Sequence, residues 1–300
     1  MSGIVRTSSV AARLAFPEWL YARCRPRRER RSPTRPRAIA GWHKTITLQS
    51  RKPVSAQPTQ HIELWLADVD SLMLAASALQ VLVDDDWNSF APIKSLPERN
   101  RAIAARILLR IGLSRASGHR VHPTEWRFER TSEGKPFVAP GLPQIQFSVS
   151  HADQMAAVAI APDVNVGLDI ENVDHPLAPQ MVAGFCHPSE ELAIGDFEPV
   201  QRAREFVRLW TQKEAYTKLI GVGHAIDFTD LNCLLASEKE TGFQENAHFE
   251  SFFVPASHNL YHATLAIGRG RLASASLELH VINVQPAPAG PSQRAGPTDR

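Results

Sequence analysis

Residues 144–171 read QIQFSVSHADQMAAVAIAPDVNVGLDIE, and this stretch decides the fold class. Apolar and polar residues alternate through 144–150, which is the pattern of a half-buried β-strand. Two largely apolar runs, 155–161 and 166–171, flank the short segment 162–165, which contains Pro, Asp and Asn. This spacing predicts a β-hairpin with a four-residue loop. Three successive strands of this kind predict an antiparallel sheet.

Outside that stretch, short strand patterns surround two long helical patterns. The helical period predicts one helix over 97–113 and another over about 200–220, with Gly221 and Gly223 as stop signals after the second. The other predicted elements are a turn at 133–136 and strands at 61–68, 126–129, 233–237, 250–254, 261–267 and 277–282. Mixed strands with one long helix in each half predict an α+β fold rather than a doubly wound α/β fold.

The composition is that of a folded globular chain. Hydrophobic residues make up 43% of the 300 residues and charged residues 21%, which excludes a wholly disordered or fibrous protein. No apolar run is long enough to span a bilayer, and the first residues lack the apolar region of a secretory signal. The three cysteines, Cys24, Cys186 and Cys233, are odd in number and widely spaced. This pattern argues against a disulfide framework or a zinc site and indicates a reducing, cytoplasmic compartment.

The net charge of +2 conceals an uneven distribution. Residues 1–58 contain thirteen basic and two acidic residues, whereas the rest of the chain contains 20 basic and 29 acidic residues. This Arg- and Pro-rich segment predicts a disordered or appended arm. Three roles stay open for it: a tether to nucleic acid, an organelle transit peptide, or no part in the activity. Residues 284–300, rich in Pro, Ala and Gly, predict a disordered tail.

Two carboxylates on one predicted strand are candidate metal ligands. In Val166–Glu171, the strand period places Asp169 and Glu171 on one face and the apolar residues on the other. Like charges at this spacing repel unless a cation lies between them, and carboxylate oxygens suit Mg²⁺. The alternative is a solvated polar face on an edge strand. Gly167 favours a ligand, because its missing side chain leaves room for one to approach the backbone.

Three further sets of polar residues are candidates for a functional role. Glu214 and Lys218 lie one helical turn apart beside an apolar stripe, although a simple salt bridge also explains the pair. Ser150 and His151 point apart along a strand, which excludes a Ser-His catalytic pair and leaves phosphate contact or a structural loop histidine. In the first long helix, Arg101 alone of four arginines lies on the opposite border of the apolar stripe.

The order of these segments resembles that of the 4′-phosphopantetheinyl transferase superfamily, in its larger monomeric Sfp-type class. The matching features are Arg101, GKP at 134–136, FSVSH at 147–151, VGLDIE at 166–171 and WTQKEAYTK at 210–218. The resemblance covers residues 61–282. It implies two similar α+β subdomains, 61–165 and 166–283, related by a pseudo-twofold axis, with the active site in the cleft between them.

The resemblance also implies an activity. Enzymes of this family transfer the phosphopantetheine arm of coenzyme A to a serine of an acyl or peptidyl carrier protein, releasing adenosine 3′,5′-bisphosphate. The implied magnesium ligands are Asp169, Glu171 and Glu214. The implied contacts to coenzyme A are Arg101, Lys135, Ser150, His151 and Lys218.

The implied catalytic residues are Lys218, Glu214 and Glu190. Lys218 stabilises the leaving group, and either Glu214 or Glu190 accepts the serine proton. We prefer Glu190 to Glu191 as the family's acidic residue before the long helix. A helix-start role is the alternative for Glu190, because the helix dipole favours acids in a first turn after proline.

Two other functions stay open on the sequence. One is a non-catalytic module that binds carriers or nucleotides, and the other is a scaffold whose basic arm contacts nucleic acid. The presence of all three metal-binding carboxylates favours the enzyme, and the acidic folded part disfavours nucleic acid. We expect a monomer that does not associate with membranes. The carrier protein and its pathway are not indicated.

Overall fold

The computed structural model describes residues 41–46, 60–174, 179–222, 225–234, 247–256, 259–268 and 275–282. Most of the predicted arm and the whole predicted tail at 284–300 lie outside these ranges. Within the described residues, none of the helices combines the length and apolar content needed to cross a bilayer.

Across these described ranges, ten strands form three sheets. They are β1 (Gly41–Ile46), β2 (Gln60–Asp68), β3 (Phe128–Arg130), β4 (Pro136–Val138), β5 (Gln146–Ala152), β6 (Met155–Ala161), β7 (Val166–Asn172), β8 (Ala247–Ala256), β9 (Asn259–Gly268) and β10 (Ala275–Ile282). The larger sheet has the order β1-β10-β2-β6-β5, the smaller has the order β7-β9-β8, and β3 pairs with β4 alone. Around the turn at 133–136, Gly134 takes a φ of +91°.

Two predicted boundaries differ from the structure. Residues 41–46, which the charge pattern assigns to the arm, form strand β1 and pair antiparallel with β10. Strand β10, which the predicted subdomains place in the second half, pairs in parallel with β2 of the first half. The register aligns Leu277 with Ile62, so the chain returns to the first sheet after building the second.

The predicted hairpin of 155–161 with 166–171 is wrong. The hairpin is instead β5–β6, turning at Asp153 and Gln154, and β7 pairs with β9 in the other sheet. Strand β6 already pairs with β2 on one edge and β5 on the other, so it has no free edge for β7. Residues 162–165 therefore carry the chain from one sheet to the next.

In the same described part of the chain, seven α-helices accompany the strands. They are α1 (Val69–Met73), α2 (Ala76–Leu79), α3 (Asp84–Phe90), α4 (Leu96–Ala116), α5 (Pro179–Phe185), α6 (Pro188–Gly195) and α7 (Pro199–Ile220). The two long predicted helices correspond to α4 and α7. Ser95 caps α4 by accepting a hydrogen bond from the Glu98 amide, and Gly221 ends α7 with a left-handed φ of +81°. Cys233 and Leu234 are not in a strand, which contradicts the start of the strand predicted at 233–237.

The sheets and long helices stack in four layers. One face of the larger sheet shares a buried cluster with α4, to which Leu108 and Val158 belong. Its other face packs on the smaller sheet through a second cluster that includes Leu64 and Leu265. A third cluster, including Leu219, joins the far face of the smaller sheet to α7. The predicted α+β class is confirmed, and the pseudo-twofold relation stays a prediction.

Helix α4 also carries a buried ion pair that the sequence did not indicate. Arg110 is 1% exposed, and its Nε lies 2.7 Å from Asp86 Oδ2. Its Nη1 donates to the carbonyl oxygens of Pro123 and Trp126. The pair ties α3, α4 and the segment before β3 together, and such charges are buried only when they are paired.

Candidate functional site

Strand β7 presents its polar residues toward helix α7. Val166, Leu168 and Ile170 pack between the sheets, which places Asp169 on the opposite face, where it is 3% exposed. A Cβ at Gly167 on that face would overlap the backbone carbonyl oxygen of Ala215 in α7. Gly167 therefore admits the helix backbone, and the interpretation that it leaves room for a ligand is wrong.

Helix α7 places a lysine side chain against the buried carboxylate of strand β7. The Lys218 Nζ lies 2.6 Å from Asp169 Oδ1 and 3.2 Å from Ser150 Oγ. The Ser150 hydroxyl donates to the same Asp169 oxygen at 2.8 Å. Lys218, Asp169 and Ser150 thus form one cluster, called here the junction cluster, which joins β5, β7 and α7.

Serine hydroxyls also join β5 to β7. The Leu168 amide donates to Ser148 Oγ at 2.9 Å, and the Ile170 amide donates to Ser150 Oγ at 3.3 Å. Both serines are 6% exposed, so the polar face of β5 is buried in this seam. Ser150 was predicted as a phosphate contact, and the structure places its hydroxyl against Asp169 and Lys218. The candidate site therefore depends on residues of both halves.

The carboxylates of β7 repel each other in a partly dry environment. Burial, followed by the charge of Asp169, raises the pKa of Glu171 to about 8, and the charge of Glu214 contributes in the same direction. Lys218 and a hydrogen bond with Trp210 partly oppose this shift. These effects place Asp169, Glu171 and Glu214 in one electrostatic neighbourhood.

This donor set fits a hard divalent cation. Asp169 Oδ2 is buried without a hydrogen-bond partner, so one carboxylate oxygen is left for another ligand. Carboxylate oxygens are the donors that Mg²⁺ prefers, and a cation would relieve the repulsion at Glu171. Among the described residues, no three His, Cys, Asp or Glu side chains are already arranged around a metal position. Lys218 instead holds the other oxygen of Asp169.

Two more predicted residues lie beside the junction cluster. Arg101 Nη1 donates to the Asp153 carbonyl oxygen at 3.5 Å, in the turn that follows His151. Partial desolvation, then the charges of Arg101 and Lys218, lower the pKa of the exposed His151. The charges of Arg101, Lys218 and Asp169 all act on His151, and the two cations beside this imidazole suit an anionic ligand.

Lys135 contacts the end of helix α7. Its Nζ donates to the Leu219 carbonyl oxygen at 2.8 Å, and burial lowers its pKa. A cation is favoured at a helix C-terminus, where carbonyl groups lack intrahelical partners. This contact ties the turn between β3 and β4 to the last turn of α7.

Glu190 lies in a different polar cluster. It is 0% exposed, and its Oε2 lies 2.6 Å from Lys213 Nζ and accepts from the His187 amide. Its Oε1 accepts from the Cys233 amide. These contacts correspond to the helix-start alternative. Sequence reasoning missed Lys213, although its place one turn from two buried residues of α7, Leu209 and Tyr216, is a usable signal.

Comparisons with known proteins agree with the order of the motifs. A family model described as the 4′-phosphopantetheinyl transferase superfamily matches residues 165–290. A second, described as 4′-phosphopantetheinyl transferase, N-terminal, matches residues 63–163.

Curated relatives carry the same description. A phosphopantetheinyl transferase of a Thraustochytrium species is 32% identical over 42% of this chain and 48% of that protein. The 4′-phosphopantetheinyl transferase pptA of Paxillus involutus is 28% identical over 53% of this chain and 66% of that protein. The 4′-phosphopantetheinyl transferase HetI of a Nostoc species is 28% identical, over 56% and 71%. The chain thus spans about half to two thirds of the length of the first two relatives. The two family models meet near residue 164, and together they include both long helices and every predicted site residue. The chain belongs to the 4′-phosphopantetheinyl transferase superfamily.

Proposed function

We propose that this chain transfers the phosphopantetheine arm of coenzyme A to a serine of an acyl or peptidyl carrier protein. The junction cluster is the observation that carries the proposal. It places a lysine, a buried carboxylate with one unpartnered oxygen, and a serine at the meeting point of the two halves. Such a site combines groups for binding an anion with groups for binding a cation.

The reaction breaks the phosphoanhydride bond of the coenzyme A pyrophosphate and forms a phosphoester bond to the carrier serine. The carrier serine oxygen bonds to the phosphorus of the phosphopantetheine arm, and the bond from that phosphorus to adenosine 3′,5′-bisphosphate breaks. Asp169, Glu171 and Glu214 would hold Mg²⁺, which when bound neutralises negative charge on the pyrophosphate. Lys218 donates a hydrogen bond to the oxygen that leaves with the bisphosphate. Glu214 accepts the serine proton, since Glu190 is already committed to Lys213 and two amides.

The remaining cationic residues hold the nucleotide end. Arg101, Lys135 and His151 contact the phosphates of coenzyme A. The charges of Arg101 and Lys218 beside His151, and the contact of Lys135 with the end of α7, support this assignment. Ser150 orients Asp169 and Lys218 and can turn its hydroxyl to a phosphate oxygen. We further propose that the protein acts as a cytoplasmic monomer.

The test is the intact mass of an apo acyl carrier protein and an apo peptidyl carrier domain after incubation with this chain, coenzyme A and Mg²⁺. We expect a gain of one phosphopantetheine arm that EDTA abolishes. Asp169→Asn should lower the transfer rate at least about 100-fold, because it removes one of the three carboxylates proposed to hold Mg²⁺ at the reacting phosphate. Asp163→Asn, at an exposed position in the segment 162–165 between the two sheets, is the matched control and should transfer normally.

Two results would contradict the proposal. Normal turnover by folded Asp169→Asn would remove this carboxylate from the chemistry. Coenzyme A binding by calorimetry, without transfer to either carrier, would favour the non-catalytic binding module.

A further inference from the structure

A second hydrogen-bonded network of polar side chains lies beside the carboxylates of β7. Thr211 Oγ1 of α7 lies 2.8 Å from His262 Nδ1 and 3.0 Å from Thr264 Oγ1, both on β9. Thr264 Oγ1 in turn lies 2.9 Å from Ser251 Oγ on β8. These four residues, called here the hydroxyl clamp, connect helix α7 with two strands of the smaller sheet.

The hydroxyl clamp is neutral, and three of its four residues are buried, whereas Ser251 on β8 is exposed. Thr211 and Thr264 are 0% exposed, and His262 is 3% exposed. Burial, then the charge of Arg208, lowers the pKa of His262 to about 4, so its ring is uncharged at neutral pH. Burying a hydroxyl or a ring nitrogen without a hydrogen-bond partner costs free energy. The clamp residues are therefore held in the positions that keep these hydrogen bonds.

Strand register places the hydroxyl clamp beside the carboxylates. In the antiparallel pairing of β7 with β9, Asp169 lies opposite Thr264 and Glu171 lies opposite His262. Directly opposed residues share a face of the sheet, with their Cβ atoms about 4.5–5.5 Å apart. The clamp and the carboxylates therefore occupy neighbouring rows on the face that α7 covers.

Helix α7 presents Thr211 on the same stripe as its own site residues. Glu214 and Lys218 follow Thr211 by three and seven residues, which places the three side chains along one side of the helix. The hydroxyl of Thr211 thus anchors the first residue of this side of α7, and the next two, Glu214 and Lys218, face Glu171 and Asp169.

We propose that Thr211 and His262 are positioning residues, which hold α7 in the rotation that sets Glu214 and Lys218 opposite the β7 carboxylates. The proposal rests on the proposed transfer function. Neither residue is placed in contact with substrate. A misplacement of reacting groups by about 1 Å can cost about 100-fold in rate, so a small rotation of α7 has a large effect.

The chain offers a matched pair of threonines for the test. Thr217, 1% exposed on the same helix, donates to the Glu214 carbonyl oxygen at 3.1 Å, and Thr211 makes the same type of bond to the Arg208 carbonyl oxygen at 3.1 Å. Thr211 adds its bonds to β9. Comparing Thr211→Val with Thr217→Val therefore isolates those bonds from the loss of a buried hydroxyl.

We would measure kcat, the KM for coenzyme A and hydrogen–deuterium exchange of α7 amides in the full chain. Thr211→Val should lower kcat about 10- to 100-fold with KM within about threefold of wild type, and should increase exchange across 212–219. Thr211→Ser should restore kcat to within about threefold, and Thr217→Val should stay in that range. If Thr211→Val does not fold, Thr211→Ala tests the same contact, because it leaves room for water beside His262.

The outcomes separate the two proposals. Equal kcat losses in Thr211→Val and Thr217→Val, or unchanged exchange with normal kcat in Thr211→Val, would overturn the positioning role while leaving transfer intact. Wild-type protein that transfers nothing would overturn the proposed function itself and the positioning role with it.

Discussion

Replacing Glu190 by glutamine would remove one charge of a fully buried ion pair. Lys213 Nζ lies 2.6 Å from Glu190 Oε2 and also donates to the carbonyl oxygens of Phe185 and Phe228. Glu190 is 0% exposed and Lys213 is 1% exposed, so water cannot replace the missing partner without opening the structure. The glutamine variant would leave the ammonium of Lys213 buried without its counter-charge.

The expected cost is large. Breaking a buried pair by removing one partner typically costs about 3–5 kcal/mol. In a folded unit of this size, that loss lowers Tm by about 6–20 °C. Below the melting transition, kcat for carrier modification should stay within about threefold of wild type, a barrier change of less than about 0.7 kcal/mol.

Thermal melts and intact-mass kinetics on the same samples make the comparison. Glu191→Gln, next in sequence and exposed, is the matched control and should change neither Tm nor kcat. In a double-mutant cycle, Glu190→Gln with Lys213→Met should cost less than the sum of the two single changes, by at least about 1 kcal/mol.

One result would refute the reasoning. A general base contributes about 10²- to 10⁴-fold in rate. If Glu190→Gln lost that much kcat while its Tm stayed within about 2 °C of wild type, Glu190 would be the base and its pairing with Lys213 would be incidental.

Two further predictions concern strand β7. Gly167→Ala should destabilise the protein by about 1–3 kcal/mol or more and lower kcat, because its methyl group would overlap the α7 backbone at Ala215. Gly195→Ala, which meets nothing within 4 Å, is the control, and equal melting temperatures of the two variants would contradict the close approach. The pKa of Glu171 is raised from 4.5 to about 8, so the folded protein keeps a proton that the unfolded chain releases near pH 4.5. The free energy of unfolding should therefore fall as pH rises through about 4.5–8, and Glu171→Gln should remove that fall. Thermal melts in EDTA across this pH range test the prediction. Equal slopes of Tm against pH for wild type and Glu171→Gln would contradict it.

The existence of the long elements was predictable because their signals are local. Pro97 and Ser95 mark the start of α4, and Gly221 marks the end of α7, so both helices appear within about three residues of the predicted bounds. The α+β class followed from the same local patterns. Strand β1 escaped prediction because its six residues lie in a segment whose basic composition outweighed any periodic signal.

Strand partners could not be predicted, because pairing depends on which edges are free in three dimensions. A four-residue connection between two apolar runs suits a hairpin, yet β6 lies between β2 and β5 and has no edge to offer β7. The apolar runs also carry no signal for the strand partners. A strand buried on both faces, such as β6, loses the alternation that would show which face meets the other sheet.

The sequence predicts the candidate site as a set of residue types and does not predict the contacts between them. Asp169 and Lys218 are 49 residues apart, and the spacing of Glu214 and Lys218 alone allowed an ordinary surface salt bridge. Gly167 shows the same limit, since a missing side chain signals close approach without saying whether a ligand or a helix approaches.

The Ser150 hydroxyl links the assembly of the two halves to the geometry of the site. It accepts from the Ile170 amide, which joins the larger sheet to β7, and it donates to Asp169 Oδ1, which orients the carboxylate. A hydroxyl has one proton and two lone pairs, so these bonds and the Lys218 contact together use its full capacity. Any shift of the larger sheet relative to the smaller one therefore changes the direction of Asp169 as well as the seam. Since Asp169 and Lys218 belong to one half and Ser150 to the other, the direction of this carboxylate depends on contacts from both halves.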